Sequence, residues 1–214
     1  MRINKCLCSA GLVAATLLAA AAWTAPARAA DIVDEWASVK APPAPALKPV
    51  TADAKTTALL MMDFLPKFYC AEDPRCVATL PAMKKLLAAA RGAGATVIYS
   101  IAGNFTPADI MKDVAPLGSE PIVKAHADKF IDTDLEKILE DKGIKTVIAT
   151  GTAANGAVLY TGSGAALRGL KVIVPVDGLS SEDLYAEQLT VWQLANGPGF
   201  GKQVTVTRSD MIKF

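Results

Sequence analysis

Residues 146–178, TVIATGTAANGAVLYTGSGAALRGLKVIVPVDG, limit the fold more tightly than any other part of the chain. Residues 146–150 are an apolar, β-branched run that Gly151 breaks. Small residues continue to Arg168 and Gly169, and a second run, 172–176, closes the unit. Two buried strands joined by a helical crossover form a βαβ unit, which makes the strands parallel. The turn at 151–157 falls at the carboxyl end of the first strand, where open parallel sheets hold their ligands. The helix after it begins with unpaired N–H groups aimed at that mouth.

The same rhythm extends along the chain. Residues 57–62 predict a first core strand ending in Asp63. Asp73-Pro74 is a helix start, with Asp73 as N-cap and Pro74 at the first helical position. Val77, Leu80 and Leu87 continue that helix to about Arg91, and Gly92 and Gly94 end it. A strand over 96–101, a short helix from Thr106-Pro107 and a short strand over 121–124 come next. Thr133, with Glu136 three residues on, predicts a capped helix to about Lys142. Ser180 or Ser181 is the expected cap of a last long helix, and 203–207 a final strand. Strand alternating with helix predicts an α/β fold: three layers, Rossmann-like, with a mainly parallel sheet and helices on both faces. The glycines at 151, 156, 162 and 164 do not fit a dinucleotide-binding fingerprint. They read instead as small residues that let a helix lie close on the sheet.

The first 29 residues read as a secretory signal peptide. Arg2 and Lys5 precede an apolar run over 7–23, and Ala27-Arg28-Ala29 matches a small-x-small cleavage site. Residues 30–55, with Pro42, Pro43, Pro45 and Pro49, read as a proline-rich leader, and 56–214 as the folded domain. Cleavage leaves 19 basic residues of 22 against 21 acidic ones, a net charge of about −2. No basic cluster remains for nucleic acid, and no apolar span is left for a membrane. The sole histidine is His126, so no zinc-ligand set is expected, and no cofactor. Cys70 and Cys76 survive maturation, and in a periplasmic or extracellular setting this pair predicts a disulfide. The chain carries no repeat that would dictate an assembly, and a homo-oligomer is compatible with it.

Gly151-Thr152-Ala153-Ala154-Asn155-Gly156-Ala157-Val158 resembles the turn of the isochorismatase-like (cysteine hydrolase) superfamily. Two further motifs extend the resemblance over about residues 56–196. Asp63 closes the first strand, in LLMMDF. Lys124 closes Pro121-Ile122-Val123-Lys124, ahead of Asp128-Lys129-Phe130 and Thr133-Asp134-Leu135. The resemblance implies that Asp63, Lys124 and position 157 converge on one pocket that takes a small molecule. In most of the family the seventh residue of the turn is a nucleophilic cysteine, and here it is Ala157. Covalent thiol chemistry needs a nucleophile, and Ala157 offers none. Isochorismatases proper carry Gly at that position and cleave a vinyl ether.

The resemblance to that thiol-free branch implies a chemistry as well. Asp63 would protonate the enol-ether carbon as a general acid, and water would capture the oxocarbenium ion. Lys124 would bind a substrate carboxylate or organise the site. Backbone amides of Asn155, Gly156 and Ala157 would hold an anion or a developing oxyanion. The function expected is non-covalent hydrolysis of a small anionic molecule. The alternative is a catalytically silent member that binds a small molecule in the same cleft.

Overall fold

The computed structural model describes residues 29–214. The signal-peptide segment therefore lies outside the described residues but for Ala29. The chain divides into two units at residues 43 and 44. The described part of the first is a short exposed segment with one 3₁₀ turn, Trp36–Ser38.

The second unit carries nine strands among the described residues. In chain order these are β1 (Val50–Thr51), β2 (Thr57–Met62), β3 (Thr96–Ile101), β4 (Ile122–Lys124) and β5 (Thr146–Thr152), then β6 (Lys171–Pro175), β7 (Leu179–Ser180), β8 (Val204–Thr207) and β9 (Ile212–Lys213). Four α-helices join them: α1 (Pro74–Gly92), α2 (Leu135–Asp141), α3 (Leu159–Leu167) and α4 (Leu184–Asn196). The main sheet is parallel, in the order β4-β3-β2-β5-β6-β8, with β7 extending the pairing of β5. The chain winds outward from β2 through β3 to β4, then returns to the centre and winds the other way from β5. The switch point lies between β2 and β5, whose ladder runs from Thr57 opposite Thr146 to Met62 opposite Gly151.

Alternating side chains of the central strands feed two separate cores. Leu59 and Met61 of β2, with Ile148 of β5, pack against Leu80, Met83, Leu86 and Leu87 of α1. Ala58, Leu60 and Met62 face the other way, onto Leu135 and Leu139 of α2, Ala165 and Ala166 of α3, and Leu194 of α4. The sheet is thus covered on both faces, as the alternating pattern predicts.

Local signals hold where the side chain that caps is adjacent in sequence. Asp73 accepts from Arg75 N at 2.9 Å and starts α1 as expected. Thr133 Oγ1 accepts from Leu135 N at 3.1 Å, although the N-cap position itself is Asp134. The expected serine cap of α4 is corrected. Ser180 belongs to β7, and the cap is Asp183, which accepts from Tyr185 N at 2.8 Å. Ser180 continues the pairing along β5 opposite Thr152, so the chain is still extended there and cannot begin a helix.

The disulfide is present. Cys70 and Cys76 are bonded, both buried, and tie the loop after β2 to the first turn of α1. In the chain-entropy view so short a loop stabilises by about 2 kcal/mol. Cys70→Ser with Cys76→Ser should lower stability by about that amount, and alkylation of the unreduced wild type should label neither cysteine.

Gly151 sits where the sheet leaves no room for a side chain. Its φ is +140°, and a Cβ placed there would stand 2.1 Å from the Met62 carbonyl oxygen. Both the backbone angle and the space demand glycine. Gly151→Ala should cost about 3 kcal/mol or more and lower the melting temperature by about 6–12 °C, read by thermal circular dichroism.

Candidate functional site

Asp63 comes directly after β2, at the carboxyl edge of the switch point. Its φ is +57°, in the left-handed region that few residues other than glycine tolerate and that Asp tolerates better than most. The residue is 4% exposed. Its carboxylate has a partner on each oxygen. Ser100 Oγ, from the end of β3, donates to Oδ1 at 2.7 Å, and Lys129 Nζ donates to Oδ2 at 2.6 Å.

Lys129 is 1% exposed, with its ammonium inside the protein. A buried ammonium without partners would be very costly. Here Nζ donates to Asp63 and also to the His126 carbonyl at 2.6 Å. The loop that carries it is fastened to α3. Lys129 N donates to Thr161 Oγ1 at 3.1 Å, and the Arg168 guanidinium lies 4.2 Å from the Phe130 ring centroid. Gly164 leaves room for this docking, since a Cβ there would meet Phe130 Cδ2 at 3.2 Å. Lys129 and Phe130 are therefore packed into the core, while His126, Ala127, Ile131 and Asp132 of the same loop stay exposed.

The lysine paired with Asp63 is thus Lys129, where the motif pattern pointed to Lys124. Lys124 is exposed at the end of β4, the outermost strand on its side. β4 is two strands away from β2, about 10 Å across the sheet at the usual strand spacing. The chain then turns back over the edge, and Lys129, five residues later, delivers the charge to Asp63. Sequence reasoning also missed Ser100 and Thr161. Ser100 had a signal, as a polar residue at the end of the buried run Thr96–Ile101. Thr161 had a weaker one, as a hydroxyl on the small-residue face of α3.

Beyond Gly151, the chain passes a cis Thr152–Ala153 peptide and a π-helical turn, Ala154–Val158, before α3. Such wide turns are frequent at functional sites. Ala157 is 3% exposed and stands four residues before Thr161, so it lies one turn earlier on the same side of the helix. That is the side that holds the Lys129 loop. Asn155 is exposed, and its Oδ1 accepts from Ser181 Oγ at 3.1 Å, while Ser181 Oγ accepts from Ala154 N at 3.0 Å. Gly156 N donates to the Ala153 carbonyl at 3.1 Å, so this amide, expected to bind an anion, is already engaged within the turn.

A cleft of about 350 Å³ opens beside the turn, lined in part by Tyr69, Thr152, Ala153, Asn155 and Ser181. Of the five residues expected to share one pocket, Asn155 lines this cleft. Asp63, Lys124, Gly156 and Ala157 do not. Three carboxyl residues, Asp73, Glu182 and Asp183, also line it, and no lysine or arginine does. Tyr69 and Asp73 reach it from the segment that the disulfide ties to α1.

A parallel sheet covered by helices on both faces, with a buried aspartate–lysine pair at its switch point and a tight turn into a helix beside it, is a Rossmann-like three-layer fold. The chain belongs to the isochorismatase family: the isochorismatase domain matches residues 57–208. It is 29% identical over 151 residues to the secreted isochorismatase effector Isc1 of Verticillium dahliae, across 64% of this chain and 78% of that one. It is 30% identical over 162 residues to the streptothricin hydrolase of Streptomyces noursei, across 70% of this chain and 62% of that protein. An isochorismatase structure from Pseudomonas putida superposes with a TM-score of 0.67 at 17% identity, covering 77% of this chain and 94% of the other. The last likeness is one of fold. Family hydrolases of this kind bind small-molecule substrates.

The two lysines separate cleanly by experiment. Lys129→Met leaves Asp63 buried without its countercharge and should cost about 3–5 kcal/mol. Lys124→Met, on an exposed edge, should change stability by no more than about 0.5 kcal/mol. Urea denaturation of both variants checks the assignment.

Proposed function

We propose that this protein is a secreted isochorismatase-like hydrolase that acts without a covalent thiol intermediate, with Asp63 as its proton carrier. In this reading Lys129, rather than Lys124, is the partner of Asp63, and Ala157 stands where most relatives have their cysteine. One observation carries the proposal: the buried Asp63–Lys129 ion pair at the switch point. Burying two charges costs desolvation that apolar residues of similar volume would avoid, so the pair is poor core material. Its use is chemical. A proton moves from the Lys129 ammonium to Asp63 across the 2.6 Å contact and from Asp63 to the substrate. Water adds to the resulting oxocarbenium carbon, the proton it releases returns to the Lys129 amine, and the hemiketal so formed breaks its C–O bond to give a carbonyl product and an alcohol.

Secretion is supported by the leader at 1–29, by the disulfide in the domain and by the likeness to a secreted relative. On this reading residues 30–55 are the leader of the mature chain and 56–214 its working domain. The acidic lining of the cleft argues against the anionic substrate first expected. It supports a neutral or amine-bearing ligand in that cleft, beside Asn155 and Ser181.

One observation favours the second reading, a catalytically silent binder. Asp63, Lys129 and Ala157 do not line the cleft, so a ligand could sit there without meeting the pair. The two readings separate on a panel of vinyl ethers and amides. If the parent turns over a substrate, Asp63→Asn should reduce kcat by about 10²–10⁴-fold, with near-ultraviolet circular dichroism confirming that the variant is folded. Ala157→Gly should keep most of that activity. A parent that is inactive throughout, with an Ala157→Cys variant that gains amidase turnover, would identify a silenced cysteine hydrolase and defeat the proposal.

A further inference from the structure

Helix capping accounts for only part of the acid in the cleft beside the turn. Two of its three carboxylates begin helices. Asp73 Oδ1 accepts from Arg75 N at 2.9 Å at the start of α1, and Asp183 Oδ1 accepts from Tyr185 N at 2.8 Å at the start of α4. Each bond uses one oxygen, and asparagine or serine would cap as well without a charge. Glu182, exposed in the same wall, makes no hydrogen bond or ion pair among the described residues.

Asp73 is the more telling of the three. It is 6% exposed, so its carboxylate has been taken out of bulk water. No donor meets its Oδ2 among the described residues, and Arg75, two residues on, places its guanidinium on Glu187. Oδ2 is not one of the fully enclosed polar atoms that lack a partner. The cleft that Asp73 lines is where this oxygen stays open to a donor from outside.

Charge and spacing choose the ligand. The N-termini of α1 and α4 both start at this cleft, and each contributes about +0.5 of an elementary charge. Against three carboxylates that leaves about −2, with no lysine or arginine in the wall to answer it. A ligand with a single ammonium would compensate about half of that field. A metal ion suits the site no better, because among the described residues no group of three carboxylates closes on one point as metal ligands must. Separated carboxylates fit separated cations. Tyr69, packed edge to face on Phe105 with ring centroids 5.5 Å apart, gives an ammonium an aromatic surface, and Ala153 and Ala186 give methylenes an apolar one. At about 350 Å³ the cleft is of the size that holds small ligands.

We propose that this cleft binds an organic cation with at least two ammonium groups on a short alkyl chain, through Asp73, Glu182 and Asp183. Such a cation is the amine-bearing ligand of the hydrolase reading above, and the inference rests on that reading for the use of the cleft in turnover. Binding is measured without turnover, so the two fail separately. Calorimetric titration of the intact chain with spermidine at about 20 mM salt, where screening is weak, should give saturable binding. Putrescine should bind as well, and 1,4-butanediol, the same chain without ammonium groups, should not. Asp73→Asn, which keeps a capping side chain, should weaken spermidine about 10-fold or more, the scale of a hydrogen bond between charged groups. Glu182→Gln should weaken it about 3-fold, the scale of an exposed ion pair. Glu182 is exposed and has no partner to lose, so its effect reads on the cleft whether or not Asp73→Asn folds. Asp141→Asn, on α2, and Asp63→Asn should bind spermidine as the parent does. A parent that binds no spermidine, an affinity unchanged in both cleft variants, or 1,4-butanediol binding like putrescine would each overturn the proposal. Calcium chloride that displaces spermidine beyond the effect of sodium chloride at equal ionic strength would also overturn it, since the cleft would then be a metal site. A parent without turnover that still binds spermidine through these residues defeats the hydrolase reading and upholds the cation site. Turnover that Asp63→Asn abolishes, in a parent that binds no spermidine, defeats the cation site alone.

Discussion

The β2–β5 ladder is the contact on which the rest of the molecule depends. It joins the two half-sheets, and it brings Asp63 and the turn after β5 to one edge. Its last step, Met62 opposite Gly151, is so close that no side chain fits. A parallel sheet reverses its winding at such a step, and the crevice above it is where side chains from both halves can meet. Asp63 from one half finds Lys129 from the same half. The loop bearing Lys129 is in turn fastened to α3 from the other half, through Thr161 and Arg168.

That cross-connection turns an expensive feature into a stable one. Each charge of the Asp63–Lys129 pair has additional hydrogen bonds, from Ser100 to one and to the His126 carbonyl from the other. Buried pairs persist when their remaining hydrogen-bonding capacity is met in this way. The same fastening explains the composition of α3. Gly162 admits Leu194 of α4, Gly164 admits Phe130, and Thr161 supplies a hydroxyl where the loop has an amide to satisfy. Small residues on this helix are packing choices on both of its buried sides, and its exposed side is left to Tyr160 and Leu167.

The acidic cleft is lined by residues of the turn after β5, and neither Asp63 nor Lys129 is among them. The turn is held from beneath by Ser181, which bonds both Ala154 and Asn155, and Ser181 N in turn donates to Glu187, the partner of Arg75 on α1. A ligand in the cleft therefore touches a network that spans three elements. The disulfide adds a fourth support by holding Tyr69 and Asp73 in the cleft wall.

Local pattern alone determined the strands, their parallel sense and the disulfide pair, and it placed Asp63 at the end of the first core strand. Each of these is written in residues adjacent in the chain or in a short repeat: β-branched runs, Asp73-Pro74, two cysteines in one loop, and a carboxylate at the end of a buried strand. The isochorismatase-like kinship was legible for a similar reason, because the turn, the strand ending in Asp63 and the segment from Pro121 to Leu135 are each contiguous and come in the family's order. Tertiary structure alone decided which lysine meets Asp63. Lys124 and Lys129 are equally long and both near the end of β4, and the choice rests on strand order: β4 is an edge two strands from β2, and the loop after it folds back. It also decided that Ser180 stays in a strand, that the pair does not line the cleft, and that Ser100 and Thr161 hold Asp63 and the Lys129 loop. Those contacts join residues 27 to 66 positions apart, and no pattern within a single element encodes a distance of that kind.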